Sequence, residues 1–498
     1  MSGPALLLGL DVGTTRIKAV VVDMTGRLVA SAWRATPWFT DLDGTSMNPG
    51  ELGSLVSDVS AQAAADAVSA TEGQIAGIGL SGMGEAGVLI DDTDQPVAPV
   101  WAWHDRRADV ETIRRTIGED TFSSTTGMPL TGQPSLCKVL RQIRELDAQP
   151  GRMRFLSVPE WAARCLGARS VSELSLASRT GLLDVVTEAP WEGARDLTGQ
   201  DLLSELVTAG TDIGRAHGPA VADQLRGACI TVAGHDHQVA ALSVGAITDG
   251  TLLDSVGTAE ALLRFGSEPL QRQMVASLTA QGITVGRTVV PGHWCALGGL
   301  LTGFALQRLA QALGVAVEEA HIALGHRALT ASLDGVEVEM DASTVRVTLG
   351  LAPDTGAVVI DAAAVWAAAV AATVRASEEA VRQLDALIGA HRAVIGTGGW
   401  LTNPAVLAAK RVQFPGLVST GAEHAGAVGA AYLAGVACGE LAQVNGQSPA
   451  RWSGERQRTA QRMQVLRTSV RPEQRGVPMS GSGQEDRAVL GSRGEVPS

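Results

Sequence analysis

Aromatic side chains are scarce in this 498-residue chain: they make up 3% of it, with a single tyrosine. Its core must therefore be filled by small and branched aliphatic residues, and no basic stripe is interleaved with aromatics as single-stranded nucleic acid would ask. Basic charge is in deficit too. A formal net charge of −13 makes nucleic acid and anionic lipid poor partners. Cysteine is sparse, and Cys137, Cys165, Cys229, Cys295 and Cys438 lie far apart with no CxxC pair, which excludes a disulfide framework and a cysteine zinc site. Long hydrophobic runs are missing. The longest apolar helix candidate, 362–374, falls short of the roughly 20 residues of a membrane span. The opening residues lack the basic start of a secretory leader. A cytoplasmic protein with no membrane segment is the expectation. The glycine-rich stretch from Gly396 matches neither a Walker A loop nor GxGxxG.

What is present is an alternation of short apolar strands and helical periodicity. Residues 6–10, 17–22 and 28–33 read as strands joined by turns at Gly13-Thr14-Thr15 and Thr25-Gly26, followed by a helix over 52–68 and a buried strand over 75–80. Helical patterns recur at 110–117, 136–146 and 159–166, and 227–233 reads as a buried strand running into Gly234-His235-Asp236-His237-Gln238. The plan then restarts: strand 251–255, turn Gly257-Thr258, strand 261–265. The repeated Val-Gly-Thr between apolar runs suggests two domains of related plan. A later strand, 393–395, enters Gly396-Thr397-Gly398-Gly399, and 423–439 reads as a helix of small residues. Beyond about 440 the periodicity fades into Arg, Gln, Ser and Gly, the composition of a disordered tail.

Four segments carry candidate chemistry. The turn Asp11-Val12-Gly13-Thr14-Thr15 can aim backbone N–H groups and hydroxyls at an anion, with Asp11 beside it to hold Mg²⁺; the competing reading is a plain hairpin. Gly257-Thr258 offers a second cradle, with Ser255 where the first has Asp11. Asp236, at the end of a buried strand, can take a proton from a substrate hydroxyl, or else cap the helix that follows. Gly396 to Asn403 is a glycine-rich loop opening a helix, able to admit a flat ring or to serve as a simple strand–helix turn.

In this order the segments resemble the FGGY family of carbohydrate kinases, within the actin, hexokinase and Hsp70 ATPase superfamily. The resemblance runs over about 6–440 and includes Lys18, Ser178-Arg179-Thr180 and Leu183-Asp184. It implies an α/β fold of two RNase H-like (actin-like ATPase) domains with a nucleotide and sugar cleft between them: an N-terminal lobe over 1–246, a C-terminal lobe over 247–440, and a tail over 441–498. It implies ATP and Mg²⁺, and transfer of a phosphoryl group to a ketose or polyol. Asp236 would be the general base and Asp11 the metal residue. Gly13, Thr14, Thr15, Lys18, Gly257 and Thr258 would meet phosphates, and Gly398, Gly399 and Asn403 would border the adenosine. Glu85, Trp103, Asp105 and His237 would face the sugar. A homodimer is common in the family.

The chain departs from that family in places. Arg141 stands where the family signature has Trp after Lys138, the run Trp366 to Ala371 replaces a more polar segment, and 333–352 is shortened. A sugar sensor that keeps the kinase fold is the alternative; an ATPase acting on a protein partner would lack a polyol pocket beside the base.

Overall fold

The computed structural model describes residues 3–146, 151–257, 259–315, 318–333, 335–340, 345–349, 361–421 and 424–442. Thr258, Glu423 and the tail from 443 onward lie outside the described residues.

The run Ala5-Leu-Leu-Leu-Gly-Leu-Asp-Val12 has no polar face, as a strand covered on both sides requires. It forms β1 (Ala5–Val12), followed by β2 (Arg16–Asp23), β3 (Leu28–Ala35), β4 (Gln74–Gly82) and β5 (Cys229–His235). These make one sheet in the order β5-β4-β1-β2-β3. β1 runs antiparallel to β2 and parallel to β4, and β5 runs parallel to β4.

Alternation then assigns the faces. Leu6, Leu8 and Leu10 pack with Leu52, Val56, Val59 and Ala63 of helix α1 (Pro49–Thr71). Each fully buried Leu or Val there stabilises the fold by about 1.5–3 kcal/mol. The Asn48 side chain starts α1 by accepting from the N–H groups of Gly50 and Glu51. Leu7 lies on the opposite face with Ala431 and Ala434. Gly9 and Asp11 share the parity of Leu7, so they face that side too.

A second sheet contains β6 (Thr251–Val256), β7 (Glu260–Gly266), β8 (Thr284–Arg287), β9 (Trp294–Leu300), β10 (Ala393–Thr397) and β11 (Val418–Ser419), in the order β8-β9-β7-β6-β10-β11. Each sheet thus starts from an antiparallel hairpin whose first strand pairs in parallel with a later strand. Helix α2 (Asp236–Val244) follows β5 directly. Helix α3 (Ala362–Ile388) contains the alanine-rich run and ends as the chain turns toward β10, and α4 (Pro404–Gln413) follows β10. Among the described residues no helix is long and apolar enough to cross a membrane. The shortened segment forms a hairpin of its own, Val336–Met340 against Val345–Leu349.

One placement departs from the sequence reading. The small-residue helix, α5 (Ala425–Ala437), belongs by chain order with the second sheet, but it lies across the first. Gly9, Gly77 and Gly79 make room for it. A Cβ on Gly9 would overlap the Ala427 carbonyl oxygen, one on Gly79 the Ala430 carbonyl oxygen, and one on Gly77 would sit 2.9 Å from the Ala434 oxygen. Helix backbone rests directly on strand backbone, a fit that needs glycine below and small residues above.

Gly79→Ala should therefore destabilise by about 1–3 kcal/mol or more through overpacking. Gly416→Ala, where an added Cβ meets nothing within 4 Å, should change stability by under about 0.5 kcal/mol. Urea unfolding midpoints of the two variants make the comparison.

Candidate active site

The carboxyl ends of β1, β4 and β5 finish level. Asp11 pairs with Ser81 and His235 with Gly82. Asp11 and Asp236 therefore leave one sheet edge two strands apart, about 10 Å by strand spacing. Each acts on the other electrostatically: burial first, and then the charge of Asp236, pushes Asp11 up to about 6, while Lys18 and His237 pull it down. Lys18, opposite Asp11 on β2, brings its Nζ to 3.9 Å from Asp11 Oδ2. Asp11 Oδ1 is buried and has no hydrogen-bond partner, and the α5 residue Gly426 packs against this carboxylate.

The turn after β1 is held from behind. Gly13 O accepts from Thr36 Oγ1 at 2.7 Å, Thr14 O from Trp38 Nε1 at 2.8 Å, and Thr15 O from Thr36 N at 3.1 Å. Gly13 N is engaged as well, donating to Arg16 O at 3.1 Å; a turn fixed in this way suits an anion at its remaining donors. Trp103 joins it, its Nε1 donating to Thr14 Oγ1 at 3.0 Å. The loop read as sugar-facing and the loop read as phosphate-facing are thus tied together.

Asp236 opens α2, its Oδ1 accepting from His237 N at 2.6 Å. His235 Nε2 stands 3.5 Å and His237 Nε2 4.0 Å from the same oxygen. Burial, then the charges of Arg179 and His237, hold His235 well below the usual imidazole range, so this ring is neutral at physiological pH. His237 remains half-buried. The backbone entering Asp236 is anchored by residues the sequence reading missed. His235 N donates to Ser175 Oγ at 3.0 Å, and Ser175 Oγ donates to Glu173 Oε2 at 2.5 Å. Glu173 caps the short helix Leu174–Ala177. An acid followed two residues later by serine, just ahead of Ser178-Arg179-Thr180, was the signal available for this. Gln238 fastens α2 to the strand end beyond β8, its Nε2 donating to Arg287 O and its Oε1 accepting from Val289 N.

Three predicted residues have other duties than those read from the sequence. Asp105 is almost fully buried and accepts from Arg107 N, Arg107 Nε, Arg107 Nη2 and Thr45 N at 2.7–3.0 Å. Burial raises its pKa, but these donors win and hold it below the usual carboxylate range. It braces the loop, because Arg107 two residues on captures it locally. Asn403 has no exposed surface. Its Oδ1 caps α4 through Ala405 N and Val406 N, and its Nδ2 donates to His321 O at 2.7 Å. This is the helix-cap use of asparagine. Glu85 has a left-handed backbone, φ 58°, a strained setting for a residue with a Cβ. Its Oε1 accepts from Arg179 Nε at 2.8 Å and also pairs with Arg179 Nη2. Arg179 Nη1 donates to Thr284 Oγ1 on β8 at 2.6 Å. This buried ion pair links the pocket loop to the second sheet.

Gly257 closes the turn between β6 and β7, its N donating to Ala259 O at 3.0 Å. Gly398 lies directly over this hairpin: at φ 108° it takes a conformation that favours glycine, and a Cβ there would clash with Val256 backbone. Gly399 is exposed. Trp400 stacks near Trp366 and His321, with ring centroids 5.9 and 5.2 Å away. Trp366 Nε1 also reaches Asn403 Oδ1 at 3.4 Å, which gives the departure at 366 a role in packing the glycine-rich loop. Among the described residues no group of three or more His, Cys, Asp or Glu could hold a metal ion by itself.

Set beside known proteins, residues 6–243 match the FGGY family of carbohydrate kinases, N-terminal domain. The chain is 26% identical to glycerol kinase 1 of Streptomyces avermitilis over 57% of this chain and 58% of that protein. It is 26% identical to gluconokinase of Bacillus subtilis over 53% and 52%. The fold matches the crystal structure of xylulose kinase from Rhodospirillum rubrum with a TM-score of 0.74, at 21% identity, over 93% of this chain and 98% of that one. The chain spans a little over half the length of the curated relatives it matches. Residues 6–243 carry the N-terminal domain of the FGGY family of carbohydrate kinases, and the two-sheet fold is that of the solved kinase structures the chain matches.

Arg179→Ala would leave Glu85 without its partner in a buried site, at a cost of about 3–5 kcal/mol. Removing both charges together, as Glu85→Gln with Arg179→Met, should restore much of the loss. Denaturant midpoints of the single and double variants read this out.

Proposed function

We propose that the chain is an ATP-dependent kinase that phosphorylates a hydroxyl of a small ketose or polyol. The observation that carries this reading is the pair Asp11 and Asp236 on one sheet edge, each in a different setting. Asp11 is mostly buried against α5, next to a lysine and an anion-suited turn. Asp236 is half-buried, at a strand end, beside two imidazoles.

Asp236 would accept the proton of the attacking hydroxyl. His237 N fixes the carboxylate by donating to Oδ1, and neutral His235 flanks it without competing as an acid. Trp103 would offer an apolar face to the acceptor, and His237 a polar edge. Glu85, held by Arg179, would shape the pocket with its paired carboxylate. The two turns, with Gly13, Thr14, Thr15 and Lys18 on one side and Gly257 and Thr258 on the other, would receive the phosphates, and Gly398 and Gly399 would admit the adenine. Asn403 and Asp105 act as positioning residues for their loops. The orphaned buried Oδ1 of Asp11 suits a hard cation, which takes carboxylate and phosphate oxygens together. Mg²⁺ bound there would supply charge neutralisation on the transferring phosphoryl group.

The lobes would be 1–246 joined by α5, and the remainder of 247–440. Relatives named glycerol kinase, gluconokinase and xylulose kinase support a small polyhydroxy acceptor, and a homodimer in the cytoplasm is part of the same reading.

ADP release with ATP and Mg²⁺ should be stimulated strongly by one member of a panel of ketoses, polyols, aldoses and sugar acids. Asp236→Asn should lower the stimulated kcat by about 10²–10⁴-fold while ATP still binds. A panel with no stimulating compound, or a variant as active as the wild type, would remove the proposal.

A further inference from the structure

Beneath the second hairpin lies a cluster of charge shut off from water. Asp254 of β6, Glu260 of β7, Ser377 of α3 and Lys410 of α4 meet there. The side chains of Lys410, Asp254 and Glu260 are 1%, 1% and 0% exposed. Lys410 Nζ is 2.9 Å from Asp254 Oδ2, 2.6 Å from Glu260 Oε1 and 2.8 Å from Ser377 Oγ. Ser377 Oγ in turn donates to Glu260 Oε1 at 2.6 Å and accepts from Gln413 Nε2 at 3.1 Å. The charged groups facing Asp254 are Lys410 and Glu260, and those facing Lys410 are Asp254 and Glu260.

Two carboxyl groups and one ammonium do not balance. An uncompensated carboxylate in a dry site is costly, and three oxygens, Asp254 Oδ1, Asp254 Oδ2 and Glu260 Oε2, have no hydrogen-bond partner, Oδ2 meeting Lys410 as an ion pair alone. A single proton resolves both faults, because a protonated carboxyl donates to its neighbour. Strand register brings the two acids together. Glu260 pairs with Val256 on the last rung of the hairpin, and Asp254, two residues before Val256, shares that face.

We propose that Asp254 and Glu260 share one proton, and that the resulting neutral cluster with Lys410 is the positioning device of the nucleotide half of the site. The reading rests on the nucleotide role of the Gly257 hairpin proposed above. Lys410 and Asn403 belong to the same helix, and Gly398 rests on Val256. The cluster thus locks the hairpin and the glycine-rich loop into one body. Burial, opposed by Lys410 and reinforced by Glu260, pushes Asp254 up to about 7, in keeping with a retained proton. Once that proton leaves, a net negative charge sits under a turn suited to an anion, so nucleotide affinity should fall as pH rises above neutrality. Stability has its own window. An acid whose folded pKa is raised holds its proton longer folded than unfolded, so its contribution shrinks from about pH 4 to about pH 7 and is gone above.

Binding of ATP with Mg²⁺ should be measured from about pH 6 to about pH 8.5 on the full chain, with kcat alongside. The wild type should lose about tenfold in affinity, one unit of linked pKa. Glu260→Gln, which retains hydrogen bonding without the second charge, should lose less than about twofold over the same range. The nucleotide's own titration is common to both proteins and cancels. Lys410→Met should bind more weakly throughout, with the acceptor-stimulated kcat changed far less than the KM for ATP. Equal pH profiles in wild type and Glu260→Gln would overturn the proposal. Should the wild type bind no nucleotide, the kinase reading fails separately, and urea midpoints decide the shared proton. A wild-type loss of stability between about pH 5 and pH 7 that Glu260→Gln lacks supports it, and parallel profiles overturn it.

Discussion

The contact between helix α5 and the glycines of β1 and β4 is the constraint on which the rest of the molecule depends. Gly9, Gly77 and Gly79 carry no side chain toward the helix, and Ala427, Ala430 and Ala434 sit over them. At these three positions the first sheet is thereby covered on its second face by backbone and alanine alone, with Leu7, Val20 and Val22 packing between them. Asp11, next on the same face of β1, meets Gly426 rather than a bulky neighbour. That approach buries Asp11 and leaves one of its oxygens unsatisfied, which is the electrostatic state that makes the site receptive to a cation. A wider helix, or a Cβ on the strand, would lift the cover and let water reach the carboxylate.

Around this contact the charged groups fall into two kinds. Asp105 with Arg107, and Glu85 with Arg179, are closed pairs whose donors and acceptors serve loop geometry. Asp11 and Asp236 are comparatively open: the lysine near Asp11 stays 3.9 Å away, and Asp236 is approached by imidazoles and a backbone N–H. Fixed pairs hold loops whose shape matters, and under the proposed function the two carboxylates without such a pair would be left for chemistry in which charge changes partners.

Much of the architecture was legible in the chain. The strand–Gly–Thr–strand hairpins, the helix after residue 48, the small-residue helix and the glycine-rich loop all formed close to where periodicity and turn residues put them, because local rules govern them. The resemblance in motif order led to the family. What could not be read was which partner each polar residue would find. Asp105 was taken by Arg107, Asn403 by the start of its own helix, and Glu85 by an arginine 94 positions on. The anchoring of His235 by Ser175 spans 60 positions and depends on the register of β5. The destination of α5 is also a long-range matter: its alanines and glycines are as compatible with one sheet as with the other until the glycines on β1 and β4 are seen to face it.

That destination has a consequence for how the protein is made. β1 leaves the ribosome long before the helix that covers it, which comes some 410 residues later. At about 5–20 residues per second, the glycine-lined face of the first sheet stays open for roughly 20–80 s of synthesis. Leu7 and the bare backbone of Gly9 and Gly79 are exposed during that interval to any other nascent strand. The first sheet is begun early and finished only once α5 has been made, so its completion trails its start by most of the described chain.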